Sequence, residues 1–137
     1  MKDPLLEFHG DALRRAASAM MAEFSRRLEP LSLRYADVSA LLLIGANPTL
    51  TASQLGRMLD IQRANMVPLL GRLTDAGLIT RRPLDGKSHS LHLTEAGETR
   101  LAEARKVIEQ FEGWLVAKVP PAHRDHLKPA LDALWRE

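Results

Sequence analysis

The chain contains no cysteine among its 137 residues. That excludes disulfides, thiolate-bound metal and thiol redox sensing, and it fits a reducing compartment. Long apolar runs are missing too. The longest, SALLLIGA, falls far short of the roughly 20 residues that span a bilayer, and the opening MKDPLLEFHGDALRR holds none. The sequence therefore reads as a soluble, cytoplasmic protein with no membrane partner. Catalytic signatures are absent as well, with no Walker-type glycine loop, no G-x-S-x-G and no H-E-x-x-H. No enzyme, catalytic residue or cofactor is implied. His123 and His126 are three apart, a spacing that can ligate metal on a helix, but no carboxylate pattern beyond Asp125 completes a site. His89 and His92 read as surface or phosphate-contacting residues.

What is present is an apolar content of 45%, enough for one compact domain or a small domain with long helical arms. Charge is unevenly divided. Residues 1–50 carry six basic and six acidic side chains, and residues 93–137 carry seven and eight. The middle, residues 51–92, has six basic (Arg57, Arg63, Arg72, Arg81, Arg82, Lys87) against three acidic (Asp60, Asp75, Asp85), a balance of +3. A local excess of this kind suits a polyanion, although an ordinary solvated surface has the same composition.

Periodicity divides the chain into helices and one ribbon. From about Asp3 to Leu28, the residues Leu13, Ala17, Met20, Met21, Phe24 and Leu28 make one amphipathic stripe, ended by Pro30. After Ser32 as N-cap, LRYADVSALLLIGAN predicts a helix buried on most sides, ended by Gly45, Asn47 and Pro48. In LTASQLGRMLD, Thr51 and Gln54 form a capping box, and Leu50 and Leu55 a hydrophobic staple. Only LDIQ separates this helix from the next, whose stripe is Met66, Leu69, Leu70 and Leu73. A short helix, a tight turn and a second amphipathic helix make a helix-turn-helix, though an ordinary pair of core helices has the same pattern. Gly77 ends the second helix. LITRR and SLHLT then alternate as strands around the hairpin signal Asp85-Gly86, which predicts a basic wing. From Thr94 a long helix runs to Pro120-Pro121, with a heptad seam at Leu101, Ala104, Ile108, Phe111 and Leu115 that wants another helix. Leu127, Leu131, Leu134 and Trp135 share one face of a last helix that Pro129 is expected to shorten or kink.

This order of elements resembles the MarR family of bacterial winged helix-turn-helix regulators over essentially the whole chain. The most specific pieces are the run from Gln54 to Ile79 with its RLTDAGLI ending, the wing aspartate Asp85, and LTEAG at Leu93 to Gly97. The resemblance implies a mainly helical fold with a small β-hairpin wing. Residues 32–97 would form the DNA-binding core, and residues 1–31 and 98–137 the helices of a homodimer. It further implies a repressor that binds a pseudo-palindromic operator in double-stranded DNA, within the nucleoid, and is released by a small organic effector. The alternative is a winged-helix module for protein interaction.

Carried over residue by residue, the recognition helix begins at Gln62, Arg63, Ala64 and Asn65. Arg63 can address guanine, and Gln62 or Asn65 adenine. Thr51, Ser53, Gln54 and Arg72 would grip phosphates. In the wing, Arg81, Arg82, Lys87 and Ser88 are DNA-contact candidates, with Lys87 at the usual arginine position but lacking its planar fork. The bland reading of Arg72, Arg81 and Arg82 is solvated surface, and that of Asp85 is a turn residue or a brace for a neighbouring cation. Effector candidates are Met20, Phe24 and Tyr35. The first two also read as core, while the Tyr35 hydroxyl could meet a ligand or the backbone. Lack of cysteine disfavours the peroxide-sensing branch.

Pro68 departs from the family, which commonly has a polar or basic residue there. An interior proline costs roughly 3 kcal/mol. If Asn65 is the N-cap, Pro68 is N3 and loses no intrahelical bond, and Asn caps better than Gln62. If the helix instead starts near Arg63, it should bend and change the angle at which Gln62 and Arg63 meet the groove.

Overall fold

The computed structural model describes residues 1–137. Its elements run α1 (His9–Leu28), α2 (Tyr35–Ala46), α3 (Ala52–Leu59), α4 (Arg63–Asp75), β1 (Ile79–Asp85), β2 (Ser88–Leu93), α5 (Glu95–Lys118) and α6 (Arg124–Trp135). The fold is mainly helical with one antiparallel hairpin, as the sequence implies. No helix is long and apolar enough to cross a membrane.

The core is built around α2, whose Val38, Ala40, Leu41 and Ile44 are all buried. Leu55 of α3, Leu69, Leu70 and Leu73 of α4, Leu91 of β2 and Leu101 of α5 close on it. The start of α3 forms as its sequence predicts. Gln54 N–H donates to the Thr51 hydroxyl at 3.2 Å, and Thr51 N–H donates to Gln54 Oε1 at 2.9 Å. Asp60 then takes a left-handed conformation (φ 53°) and the Ile61 N–H donates to the Gly56 carbonyl at 2.9 Å. A β-carbon at Gly56 would lie 3.3 Å from the Ile61 carbonyl oxygen, so glycine lets the turn close this tightly.

The far end of α4 and the near end of α5 meet at the base of the wing. Gly77 (φ 72°) ends α4 in a Schellman motif: its N–H donates to Thr74 O and the Leu78 N–H to Leu73 O, both at 2.9 Å. Thr94 caps α5 by accepting from the Gly97 N–H at 3.0 Å, and its hydroxyl donates to Gly77 O at 2.5 Å. Its N–H donates to Leu78 O at 3.0 Å. Leu78 O lies so close to Gly97 that any β-carbon there would overlap it. The RLTDAGLI and LTEAG motifs are therefore two halves of one backbone clamp.

Several sequence expectations need correction. The first arm is not one helix: Pro4–Glu7 forms a separate 3-10 turn, capped by Asp3, and Phe8 is extended before α1 begins. Ser32 is not an N-cap. It is left-handed (φ 54°) and closes a 3-10 turn, Glu29–Leu31. The α2 start is delayed to Tyr35 because Asp37 accepts the Arg34 N–H at 2.8 Å. Pro129 does not shorten α6, which runs on to Trp135. His126 is in α6 but His123 belongs to the preceding 3-10 turn, so the two do not share one helix. In the hairpin Asp85 is still paired, with Ser88, and the turn residues are Gly86 and Lys87.

The α5 seam finds part of its partner within the chain. Leu101 and Ala104 enter the winged core, while Phe111 packs against Phe24 of α1, the rings tilted by 50° with centroids 4.8 Å apart. Beside it, Arg27 of α1 lies 5.3 Å over the Trp114 ring. Glu23 accepts from Arg26 at 2.6 Å and from Arg27 at 2.8 Å. These guanidinium groups, Arg26 first, hold the Glu23 carboxyl at about 2, well below the ordinary 4.5.

Two outcomes follow from these contacts. Gly97→Ala should lower the unfolding free energy by at least about 3 kcal/mol in urea titration, because the collision is with backbone and cannot be relieved by a rotamer change. The depressed Glu23 pKa stabilises the fold fully above pH 4.5, and that contribution is lost as pH falls through about 2. Glu23→Gln should thus lower the thermal midpoint at pH 7, with the gap to the native protein closing between pH 4.5 and about 2. A gap that persists at pH 2 would contradict the ion-pair account.

Candidate nucleic-acid interface

Helix α4 begins at Arg63, with Gln62 in the N-cap position and making no side-chain cap bond. The late start at Asn65 is therefore incorrect. Gln62's backbone carbonyl already accepts from Asn65 N–H at 2.8 Å and Met66 N–H at 3.2 Å, so Asn65 lies at N3. Two constraints outweigh the poor capping of Gln62. Asp60 turns the chain early, and Met66 must be helical to reach the core at 5% exposure. Pro68 is then at N6, inside the helix, and leaves the Ala64 carbonyl without its intrahelical donor. Both residues are exposed.

Met66, Leu69, Leu70 and Leu73 face inward, which leaves the opposite side of α4 outward. At helical spacing the outward strip carries Ala64, Val67, Pro68 and Gly71, with Arg63 on one flank and Asn65 on the other. Gln62, Arg63, Ala64, Asn65 and Pro68 are all exposed in the first turns, the group that the sequence brings forward as reading residues. Val67 was missed by sequence reasoning. It is 71% exposed, and only the burial of its neighbours reveals that an apolar residue one step from the Met66 stripe points away from the core.

The flank of α4 that carries Arg63, Val67 and Gly71 lines a groove of about 810 Å³ shared with α3 and β1, which Gln62 also lines but Ala64, Asn65 and Pro68 do not. Ser53 and Arg57 of α3, Arg63 and Val67 of α4 and Arg81 of β1 all line it, as do Asp60 and Asp75. Thr51 is half-buried and Ser53 and Gln54 are exposed at the α3 start. The capping box uses the acceptor of Thr51 and Oε1 of Gln54, which leaves the Thr51 O–H and the Gln54 NH₂ as outward donors. Arg82, Lys87 and Ser88 are exposed on the wing, Arg82 before and Lys87 and Ser88 beyond a bulge between Pro83 and Asp85.

Arg72 does not belong to this surface. Its guanidinium donates to Asp37 Oδ1 at 2.9 Å, on the α2 side of α4, and its Nε is buried without a partner. Asp37, only 6% exposed at its side chain, needs that cation, which fixes Arg72 as a brace between α2 and α4. Among the effector candidates, Met20 is half-buried, Phe24 is core, and Tyr35 is 49% exposed with its ring edge-on to Phe24 at 5.9 Å. Phe111 and Trp114 continue the cluster, their rings 5.9 Å apart.

A family model described as the MarR family matches residues 31–88. The transcriptional repressor CouR, in a structure bound to a 23-mer DNA duplex, superposes with a TM-score of 0.91, 34% identity and 99% of each chain covered. The chain belongs to the MarR family. CouR bound to p-coumaroyl-CoA fits equally, with a TM-score of 0.90 and 33% identity over 100% of this chain and 98% of that one. A putative transcriptional regulatory protein for the hcr operon of Thauera aromatica is 29% identical to this MarR-family chain over 96% of its length and 80% of that protein's. The Mycobacterium tuberculosis MarR family protein Rv2887, in complex with salicylic acid, matches with a TM-score of 0.74 and 25% identity, covering 93% of this chain and 96% of that one.

With Pro68 at N6 of this MarR-family recognition helix, Pro68→Ala restores an N–H to the Ala64 carbonyl. Urea unfolding should show a gain of about 1 to 3 kcal/mol, and the rank order across a panel of operators should change. No gain in stability would place the working helix start after Arg63.

Proposed function

We propose that this chain is a homodimeric, sequence-specific DNA-binding transcriptional regulator, a repressor whose hold on DNA is released by a small organic effector. The observation that carries the reading is the shared groove: one flank of α4, the last turn of α3 and the first strand of the wing present Arg57, Arg63 and Arg81 on one surface. In this arrangement α4 enters the major groove and reads bases through Gln62, Arg63, Ala64, Asn65 and Pro68. Thr51, Ser53 and Gln54 hold phosphates, and Arg81, Arg82, Lys87 and Ser88 carry the wing toward the adjacent minor groove. The CouR structure with a DNA duplex supports the same use of the fold.

Residues 32–97 act as the reading core and residues 1–31 and 98–137 as dimerisation helices. No residue of α6 is buried within one chain, and Leu5, Leu6, Phe8, Leu13, Met21, Leu131, Leu134 and Trp135 are all exposed. A second copy covers this apolar surface at least cost. The effector is aromatic and rests against the Phe24, Tyr35, Phe111 and Trp114 cluster near Met20, between arms and core. CouR with p-coumaroyl-CoA and Rv2887 with salicylic acid support an aromatic ligand. The relatives are regulators rather than enzymes, and the proposed work of the chain is binding alone, in the cytoplasm on the nucleoid.

The test is selection of duplexes from a random pool by the purified chain, followed by titration of the winner at several salt concentrations. A pseudo-palindrome with half-sites about one helical turn apart is expected, with affinity falling steeply with salt. Arg63→Ala should cost about fivefold or more on the selected site, about 1–3 kcal/mol, and much less on random duplex. Equal binding to every duplex would overturn the reading.

A further inference from the structure

The outward strip of α4 is short of hydrogen-bonding groups. Between Arg63 and Thr74 its outward positions are Ala64, Val67, Pro68 and Gly71, none of which has a polar side-chain atom. Val67, at 71%, is the most exposed large hydrophobic residue of the winged core. Comparable exposures, 69% at Leu6, 68% at Leu134 and 69% at Trp135, occur on the terminal arms, where the proposed second copy lies. The local sequence also breaks helix rules at this spot. A β-branched residue, a proline and, three positions on, a glycine follow one another on an exposed face, where alanine, glutamate or lysine would favour the helix and solubility. Such a concentration of unfavourable choices, with no packing gain inside the chain, marks a surface kept for a partner.

Resting on the DNA-binding reading above, we infer that Val67, flanked by Ala64 and Pro68, recognises the 5-methyl groups of thymine in the major groove. The chemistry fits on three counts. Thymine is the one base whose major-groove edge carries a methyl group, and small apolar side chains are its natural contacts. Arg57, Arg63 and Arg81 line the same groove of the protein and supply attraction to phosphate that the strip itself lacks. Gly71 adds no side chain between the helix backbone and an approaching base edge. Arg63 then sets guanine positions by hydrogen bonding, while the strip sets thymine positions by methyl burial.

The test uses the full-length protein and the operator obtained by selection. Thymines are replaced one at a time, in both half-sites together, by deoxyuridine, which keeps every hydrogen-bonding group and charge and removes only the methyl. At one or two positions affinity should fall about fourfold per methyl, the worth of one buried methylene, hence about fifteenfold for the symmetric pair. Val67→Ala, an exposed change to a better helix former, should bind thymine and deoxyuridine operators within twofold of each other at those positions. Arg63→Ala should keep the full thymine preference while losing overall affinity. The inference is overturned if no deoxyuridine substitution changes affinity more than twofold, or if Val67→Ala keeps the thymine preference. In either case a selected operator with a steep salt dependence leaves the DNA-binding function standing. A pool that yields no preferred sequence overturns both.

Discussion

The backbone contact between the end of α4 and the start of α5 is the constraint on which the rest of the molecule turns. Gly77, Leu78, Thr94 and Gly97 join four element ends at one place: α4 stops, β1 leaves, β2 returns and α5 begins. Because these bonds run between backbone groups and one threonine hydroxyl, they fix the geometry between recognition helix and wing without relying on flexible side chains. A wing hung on flexible side chains could not keep a fixed position relative to the groove it is to follow. The absence of a β-carbon at Gly97 is what permits α5 to approach Leu78 so closely, so a single atom limits the construction.

Helix α4 is asymmetric in what secures it. Its inner face is held by four buried apolar residues, its C-terminal end by the Schellman turn, and its α2 side by the Asp37–Arg72 pair. Its first turns lack any side-chain cap and carry a proline that removes a hydrogen bond. The end proposed to meet DNA is therefore the end with the fewest internal restraints, and binding partners can complete it. Loss of intrinsic helix stability at that end is tolerated because the opposite face is anchored in the core.

The arms follow a different logic. Phe24 and Phe111 join α1 to α5 inside one chain, and Arg27 and Lys118 lie over the Trp114 ring, at 5.3 and 4.9 Å from its centroid. Beyond this aromatic cluster Leu13 and Met21 of α1 and Leu131, Leu134 and Trp135 of α6 are exposed within one chain. One chain thus contains a complete reading core and an incomplete helical layer. The effector position proposed above, among the aromatic rings, lies between the two.

Features written by neighbours in sequence were legible without coordinates. The Thr51–Gln54 capping box, the stop at Gly77 and the Thr94 cap depend on bonds spanning three to five residues, and each formed as its residues predict. The family motifs gave the winged order in the same way. What only the tertiary structure decided involves partners far apart in the chain. Arg72 pairs with Asp37, 35 residues away. The start of α4 is dictated by the preceding turn and by the burial of Met66, not by the better cap at Asn65, and Val67 is outward because Met66 is inward. A sequence fixes local hydrogen-bond geometry through short loops of low entropic cost, whereas the choice among distant partners is made by packing of the whole core.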